Sequence, residues 1–417
     1  MSCIVQHLAL RSPCSITSSF ASSILRPVNK RLLSTSLRSW SNKVSSQDAT
    51  SATRSPRLAV LFQAIDPPVI NGVRKPRKPG GYQDSGADLA FVLQSQTSVD
   101  VITPTVHPDP GKDGDWCFPD NEDGILDALR KGATHLWANT ILFASHPLQT
   151  SSRLNEYQKD IHVIGQPPLL VEKFDDKEYT NNLLRKSALF TMPRGWTVNL
   201  GTDPRPFLLE QDLPFPIVGK PIRGRGSQGV KVCYSFDELY DHLRALSQDS
   251  SIVMLEEYLS GEEATVTVMP PSEEYPNYWA MPIVTRFNHE GGIAPYNGVV
   301  AVTANSRVLT PEEVEKDDRF EKASKECVEV ATLLQITAPI RIDIRRFSKD
   351  PDSHFALFDI NMKPNMTGPG RPGRDDQSSL TALAASALGW NYANLLEHVL
   401  ETACSLQKLR AVRPKMS

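Results

Sequence analysis

The chain has 417 residues, of which 40% are hydrophobic and 22% charged, a composition typical of a globular protein large enough for two or three domains. No apolar run approaches the length of a membrane span, and the residues after position 47 carry 39 Lys and Arg against 48 Asp and Glu. We therefore expect neither a membrane nor a nucleic acid among the partners.

The first 47 residues differ from the rest of the chain. They contain six Lys or Arg, no Asp or Glu, and many Ser. This is the composition of a mitochondrial transit peptide, and the run at 31–36 resembles a matrix-processing site. A disordered Ser-rich tail is the alternative. We expect residues 1–47 to be a targeting segment and the remaining chain to work in the mitochondrial matrix.

An α/β domain is predicted at residues 56–170, where strand-like and helix-like segments alternate. The expected strands are 58–62, 99–103, 134–139 and 161–164, and the expected helices are one that begins at Asp84 or Ser85 and ends at 96, then 123–131 and 148–160. This alternation predicts a parallel sheet covered on both faces. The basic run from Arg74 to Lys78 is predicted to be a flexible surface loop. Asn139 and Thr140, at the carboxyl end of a strand, are expected to touch a ligand.

Two further regions follow, at 171–260 and 261–412, and together with the first they predict an α/β (α+β) fold class. In the middle region we expect a helix at 178–189, strands at 217–220, 230–234 and 252–256, and a helix to 246 that opens with a capping box at Ser235. In the last region we expect strands at 264–269, 279–285 and 298–302, a helical stretch at 310–334, a β-hairpin, and helices at 378–388 and 392–409.

The predicted hairpin carries a set of candidate metal ligands. Ile340, Ile342 and Ile344 alternate with polar residues, which predicts one strand, and 355–360 predicts its partner. Pairing of the two strands can bring Asp343, Asp359 and Asn361 together. Two carboxylates and an amide oxygen are hard ligands suited to Mg²⁺ or Mn²⁺, so we expect a metal site that an anionic substrate completes.

A glycine-rich loop follows Lys220. Gly226, Ser227, Gln228 and Gly229 lie in it, and glycines let successive backbone N–H groups form an anion-binding nest. Ser227 adds a hydroxyl donor and Lys220 a positive charge, which predicts a phosphate site. A mobile turn without ligand is the alternative.

The segment 255–263 is predicted to receive a purine nucleoside. Tyr258 and Leu259 can sandwich the ring, and the carboxylate of Glu263 can accept hydrogen bonds from ribose hydroxyls. Taken singly, this acidic cluster is more typical of a solvated surface turn.

Taken together and in this order, these segments resemble the ATP-grasp superfamily, and within it the D-alanine–D-alanine ligases, over residues 175–388. The resemblance implies that the ATP phosphates contact Lys177 and Lys220 under a lid formed by Gly226, Ser227, Gln228 and Gly229. It also implies that adenine lies at Glu256 and Leu259, with the ribose at Glu263. Finally, it implies that two Mg²⁺ ions bind Asp343, Asp359 and Asn361, and that Arg341 steadies the reacting carboxylate.

The chain departs from the family pattern near its substrate loop. Asp359 stands where the family has Glu, and Asn365 lies where the family has Gly. The substrate is therefore expected to differ from D-alanine. Arg371 and Arg374 are predicted to grip an acidic substrate above the metal site, with a solvated loop as the alternative.

The resulting hypothesis is an ATP-dependent ligase that joins a small-molecule carboxylate to an amine through an acyl phosphate, with ATP and Mg²⁺, as a monomer or a homodimer. The first alternative is an ATP-binding protein that has lost catalysis and has a regulatory or scaffold role. The second is an NAD-type oxidoreductase, which the absence of a Gly-x-Gly-x-x-Gly motif after the first strand disfavours.

Overall fold

The computed structural model describes residues 55–294 and 302–414. The predicted targeting segment lies outside these residues, as does the strand predicted at 298–302 except for Val302, which begins a 3₁₀ turn (Val302–Ala304). Within the described part of the chain, none of the helices combines the length and the apolar character that crossing a membrane requires.

The first domain is built on a mostly parallel sheet. Its elements are β1 (Arg57–Phe62), β2 (Val69–Ile70), β3 (Val73–Arg74), α1 (Gln83–Gln96), β4 (Asp100–Val101), β5 (Cys117–Pro119), α2 (Glu122–Arg130), β6 (His135–Asn139), α3 (Pro147–Thr150), β7 (His162–Ile164) and α4 (Pro168–Phe174). β1 pairs in parallel with β4, β5 and β6, and β6 pairs in parallel with β7. Leu58 to Leu61 are fully buried, as expected for a strand covered on both faces. The predicted parallel sheet is confirmed.

One helix prediction in this domain is wrong, and one predicted helix is confirmed with a different N-cap. The segment 148–160 forms α3 and a 3₁₀ helix (Ser152–Tyr157) instead of one α-helix. Helix α1 ends at Gln96 as predicted, but it begins at Gln83, and its N-cap is Tyr82, in a left-handed conformation (φ 67°), instead of Asp84 or Ser85. The Tyr82 side chain lines part of the site described below.

The middle region forms an antiparallel sheet flanked by helices. Its elements are α5 (Lys177–Ser187), β8 (Gly195–Asn199), α6 (Arg205–Glu210), β9 (Ile217–Pro221), β10 (Lys231–Cys233), α7 (Phe236–Leu246) and β11 (Ile252–Glu257), with the strands in the order β10-β9-β11-β8. Ser235 caps α7 through the N–H of Glu238, as predicted, but the carboxylate of Glu238 accepts from Tyr234 N, so the predicted capping box is only half formed. The edge strand β8 was not predicted, because only Trp196 and Val198 mark its apolar face and only Val198 is buried.

The last region contains a second antiparallel sheet against a long helix. Its elements are β12 (Glu263–Met269), β13 (Trp279–Ala280), β14 (Val284–Arg286), β15 (Ser306–Val308), α8 (Pro311–Lys316), α9 (Asp318–Leu334), β16 (Ile340–Arg346), β17 (Phe355–Asn361), α10 (Leu380–Ala387), α11 (Tyr392–Leu400), β18 (Cys404–Ser405) and α12 (Leu406–Ala411). The sheet runs β15-β14-β12-β16-β17, with β13 also on β12. The predicted strand 279–285 is split at Pro282, since proline cannot donate to a ladder.

The predicted hairpin is confirmed. β16 and β17 are antiparallel, with Asp343 opposite Asp359 and Arg341 opposite Asn361, and a bulge follows Asp343. Ile342 and Ile344 point into a core that they share with Cys327 of α9. The same alternation therefore buries the isoleucines on one face and places the polar residues on the other.

The C-terminal segment returns to the first domain. The predicted helix 392–409 is wrong, because α11 ends at Leu400 and β18 pairs antiparallel with β7 of the first sheet. Leu406 and Leu409 of α12 pack with Leu148 of α3. Helix α1 shares a core with α10 and α11. The first domain is thus fixed against the region that carries the hairpin.

Candidate active site

Two adjoining cavities lie between the middle sheet, the hairpin and the first domain. The space of the first chamber, including the part that is open to solvent, is about 910 Å³, and that of the second is about 760 Å³. The residues common to both walls are Gly224, Arg225, Gly226, Ser227, Arg286, Asp343, Asp359 and Asn361. The three predicted metal ligands therefore lie where the two chambers meet.

The hairpin register brings these three ligands together. Asp343 accepts hydrogen bonds from Arg341 Nε at 3.0 Å, from the Thr265 hydroxyl at 2.6 Å and from Asn361 Nδ2 at 3.2 Å. Because Asn361 donates this hydrogen bond through its amide nitrogen, its amide oxygen remains available as a ligand for a cation. Two carboxylates and an amide oxygen, all on the wall of the cavity, fit a hard divalent cation such as Mg²⁺.

Lys177, at the first position of α5, forms an ion pair with Asp359. Burial alone would raise the pKa of Asp359, but Lys177 and Lys220 outweigh burial and lower that pKa overall. For Lys177, burial would lower the pKa, and Asp359 reverses this effect and raises it. Both groups are therefore charged at neutral pH, and a cation at Asp359 would release Lys177 toward the chamber.

Lys220 is held by a buried carboxylate. Its Nζ lies 2.6 Å from Glu256 Oε2 and 3.1 Å from the carbonyl oxygen of Phe358. Glu256 also accepts from Arg185 Nη2 at 2.8 Å and from Asn181 Nδ2 at 3.0 Å. The carboxylate of Glu256, which the resemblance placed at an adenine hinge, is therefore a counter-charge that fixes Lys220.

The glycine loop forms one side of both chambers. Gly226, Ser227 and Gly229 have φ values of 54°, 57° and 72°, and the loop is closed by the hydrogen bond from Gln228 N to Arg225 O at 3.0 Å. Gly226, Ser227 and Gln228 line the first chamber. Gly229 instead lies against Leu246 and Pro221, outside the lining, where its positive φ turns the chain into β10.

The opposite wall of the first chamber contains Tyr258, Leu259 and Glu263. Glu263 is buried and accepts from Arg286 Nη1 at 3.1 Å and from His289 Nε2 at 2.9 Å. The Tyr258 hydroxyl accepts from Arg345 Nη2 at 3.3 Å. The sequence predicted no role at the site for Arg286, or for Arg345, which alternates with the isoleucines of β16.

The second chamber contains Arg341 and Asn365, as predicted, together with residues that the sequence did not reveal. The prediction of a surface loop at 74–78 is wrong for Lys75, which is buried with its Nζ 2.9 Å from Asp175 Oδ1 and 2.8 Å from the carbonyl oxygen of Gly224. Burial lowers the pKa of Lys75 more than Asp175 raises it.

Tyr82 and Lys363 complete the second chamber. Asn139, which we expected to touch a ligand, is buried and holds these residues: its Nδ2 donates to Tyr82 O at 2.8 Å and its Oδ1 accepts from Lys363 Nζ at 2.9 Å. Thr140 is likewise buried and donates to Asp120 at 2.5 Å. Burial, with a contribution from Lys78, lowers the pKa of Lys363 well below its usual value.

Arg371 and Arg374 line neither chamber. Both guanidiniums bind the fully buried Asp88 of α1, with Arg371 Nε and Arg374 Nε each 2.7 Å from Oδ1. Arg371 also donates to Asp113 at 2.7 Å. The predicted fork above the metal site is not formed, because these arginines fasten the loop after β17 to the first domain.

Comparison with known proteins connects this geometry to one class of enzymes. Residues 202–401 match the family model described as "D-ala D-ala ligase C-terminus". The chain is 30% identical to the D-alanine–D-alanine ligase of Bacillus anthracis over 198 residues, which is 47% of this chain and 57% of the relative. It is 24% identical to the enzyme of Aquifex aeolicus over 249 residues, 58% of this chain and 73% of the relative. The chain thus spans little more than half the length of the Bacillus relative that it matches.

Solved structures extend the similarity to most of the chain. The D-alanine–D-alanine ligase from Bacillus anthracis complexed with ATP superposes with a TM-score of 0.54 at 18% identity, covering 85% of this chain and 99% of that one. A D-Ala:D-Ser ligase from Enterococcus faecalis gives 0.55 at 11% identity, covering 83% and 99%. The fold is therefore the ATP-grasp fold, and the expected fold class is confirmed. Within that fold, the chain resembles the D-alanine–D-alanine ligases.

Proposed function

We propose that this chain is an ATP-dependent ligase that joins a carboxylate to an amine through an acyl phosphate. The observation that supports this most strongly is the meeting of the two chambers at Asp343, Asp359 and Asn361. Lysines and a glycine loop line one side of this junction, and Arg341 lies on the other. A phosphoryl group and an acceptor can thus meet at one point.

In this proposal, ATP occupies the first chamber. Tyr258 and Leu259 contact the purine, and Glu263 lies at the ribose. Lys177, Lys220 and the N–H groups of Gly226 to Gln228 neutralise the phosphates, since charged donors fixed before the reaction stabilise charge that develops during transfer. The buried partner of Lys220, Glu256, fixes the position of that ammonium.

Asp343, Asp359 and Asn361 would hold one or two Mg²⁺ ions, which would offset the negative charge of the phosphates during phosphoryl transfer. Binding of a cation at Asp359 would break the ion pair that Lys177 forms with this carboxylate. Freed from that carboxylate, its ammonium can turn to the phosphate groups.

The chain's own residues position the reacting groups. Arg341 binds the substrate carboxylate, whose oxygen attacks the terminal phosphorus of ATP while ADP leaves. The amine then attacks the acyl carbon, phosphate leaves, and the nitrogen loses a proton. The glycine loop lines both chambers. In this proposal the loop keeps water from the acyl phosphate, which water would otherwise hydrolyse. No covalent bond to the protein is required.

The experiment measures ADP release with Mg²⁺ across pooled carboxylates and amines. We expect turnover with one pair, and a loss of at least about a hundredfold in Asp359→Asn. Asp350→Asn is the matched control, because Asp350 lies on the exposed turn of the same hairpin. Nucleotide binding without turnover by any pair would indicate an ATP-binding protein that has lost catalysis, and equal turnover by wild type and Asp359→Asn would contradict the proposal.

We also propose a mitochondrial location, which rests on the composition of residues 1–47. A fluorescent fusion of the full chain should co-localise with mitochondria, and a fusion that starts at residue 48 should not. Co-localisation of both fusions, or of neither, would contradict this proposal.

A further inference from the structure

Two cations of the second chamber lack an acidic partner among the described residues. Lys363 Nζ donates to Asn139 Oδ1 at 2.9 Å and lies 3.5 Å from the centre of the Tyr82 ring. Arg225 Cζ lies 5.6 Å from the same ring, and its Nε is buried without a hydrogen-bond partner. An ammonium has three donors and a guanidinium five, so both groups retain donors for a ligand.

The two lysines of the neighbouring loop at 74–78, in contrast, have acidic partners. Lys75 Nζ lies 2.9 Å from Asp175, and Lys78 Nζ lies 2.7 Å from Asp84. Carboxylates within the protein therefore satisfy the lysines of the adjacent loop, while Lys363 and Arg225 have no carboxylate partner in the part of the chain that the structure describes. Both side chains are partly buried. A partly buried cation without a counter-charge is costly, and a ligand that supplies the charge recovers that cost on binding.

The net charge of the residues that line the second chamber also favours an anionic ligand. Among its described lining residues, five are cationic and three acidic: Lys75, Arg225, Arg286, Arg341 and Lys363 against Asp175, Asp343 and Asp359. A divalent cation at the two hairpin carboxylates would make the chamber more positive still. An anionic ligand is thus favoured over a neutral or cationic one.

Lys363 is separated from the reacting centre, whereas Arg225 lines both chambers and lies between the two positions. Tyr82 and Lys363 line the second chamber and not the first, whereas Asp343, Asp359 and Asn361 line both. A carboxylate that reacts at the junction cannot also occupy the space at the Tyr82 ring. The group that binds Lys363 must belong to another part of the substrate.

We infer that the second chamber binds a substrate with two anionic groups: a carboxylate that reacts at the junction, and a second carboxylate or phosphate that binds Lys363 and Arg225 beside the Tyr82 ring. This inference rests on the proposed ligase function and narrows its substrate to dicarboxylates, acidic amino acids or phosphorylated acids. Arg225 suits either group, because a guanidinium binds both in a two-pronged geometry.

The test uses calorimetry with Mg²⁺ and a non-hydrolysable ATP analogue, so that binding is read without turnover. The probes are acids paired with neutral counterparts: glutamate and glutamine, aspartate and asparagine, succinate and succinamate, and phosphoserine and serine. We expect at least one acid to bind about tenfold or more tightly than its counterpart. The first three pairs report a carboxylate and the last a phosphate.

Matched variants test whether Lys363 is the residue that binds the second anionic group. Lys363→Met should abolish the preference for the acid, Lys363→Arg should retain most of it, and the affinity for the ATP analogue should be the same in all. Lys349→Met, on the exposed turn of the hairpin, is the control and should behave as wild type.

Two results of the calorimetry would overturn the inference. One is equal binding of every acid and its counterpart. The other is a Lys363→Met variant that loses affinity for the ATP analogue and not for the acid, which would assign Lys363 to the nucleotide. A different result would contradict the ligase proposal alone: an acid that binds more tightly than its neutral counterpart, but no release of ADP with any amine. Turnover of a monoanionic acid that Lys363→Met leaves unchanged would contradict the inference and leave the ligase proposal standing.

Discussion

Lys75 and Asp175, one hundred residues apart, form a salt bridge of 2.9 Å, and the same ammonium donates to the carbonyl oxygen of Gly224 at 2.8 Å. One side chain thus connects a loop of the first domain to the end of α4 and to the first glycine of the loop that lines both chambers. The position of the glycine loop therefore depends on a residue outside it.

Replacing Lys75 by Met should loosen the glycine loop. We expect faster tryptic cleavage after Arg225, and a free energy of unfolding lower by about 3 kcal/mol, because Asp175 would be left partly buried without its partner. Limited proteolysis and urea unfolding measure the two effects. Arg77→Met is the control, since Arg77 forms an exposed pair with Asp66 in the same loop. Unchanged cleavage in Lys75→Met would refute the connection.

Glu256→Gln should destabilise the middle region strongly. Lys220 and Arg185 would both lose their counter-charge, and the side chains of Lys220 and Glu256 are only 6% and 4% exposed. Breaking such a pair costs about 3–5 kcal/mol. Glu257→Gln, one residue later, removes a pair with the mostly exposed Arg194 and should cost less than about 1 kcal/mol. Equal losses in the two variants, measured by urea unfolding, would contradict this account.

Asp88→Asn should lower stability and leave nucleotide affinity unchanged. The substitution weakens the contacts of Asp88 with Arg371, Arg374 and the Thr367 hydroxyl, all in a buried setting. We expect a loss of about 3 kcal/mol in the free energy of unfolding. Asp123→Asn, at an exposed position, is the control. A raised KM for the acid substrate at full stability would instead favour a substrate-gripping role for the two arginines.

His135 should make the fold sensitive to acid. Its ring stacks on His162 with centroids 5.0 Å apart, and burial together with the neighbouring imidazole lowers the pKa of His135 to about 4. Between the unfolded pKa of about 6.5 and this value the unfolded chain binds more protons, so stability falls as the pH falls through that window.

The measurement is urea unfolding of wild type and His135→Gln at pH 7 and pH 4.5. The variant should lose about 2 kcal/mol less than wild type over this interval, since each pKa unit corresponds to about 1.4 kcal/mol and partial exposure reduces the full effect. His107→Gln, at an exposed position, should lose as much as wild type. Identical losses in wild type and His135→Gln would show that His135 is not the group that titrates.

The sequence predicted the parts of the site that depend on local patterns. The alternation of Ile340, Ile342 and Ile344 defines which face of β16 is buried, and a short polar link allows only an antiparallel partner, so the meeting of Asp343 with Asp359 follows. The glycine loop could also be predicted from the sequence, because its position between two strands depends only on a local pattern.

What the sequence could not predict depends on contacts between distant segments. A lysine in a Pro-rich basic loop is usually exposed, and Lys75 is buried only because Asp175 lies against it in the fold. Arg371 and Arg374 have the composition of a substrate clamp, but Asp88, more than 280 residues earlier, binds them. The two residues of β18 carry no strand pattern and are ordered by pairing with β7.

The central claim is that Asp343, Asp359 and Asn361 hold the cation that binds the phosphates of ATP. Calorimetry of ATP binding, with and without Mg²⁺, tests it on wild type and Asp359→Asn. We predict that chelating Mg²⁺ weakens binding to wild type at least about tenfold. In the variant Mg²⁺ should make little difference, and metal-free binding should be as tight as in wild type or tighter, because Lys177 is released from its ion pair. The same Mg²⁺ dependence in both proteins would contradict the account.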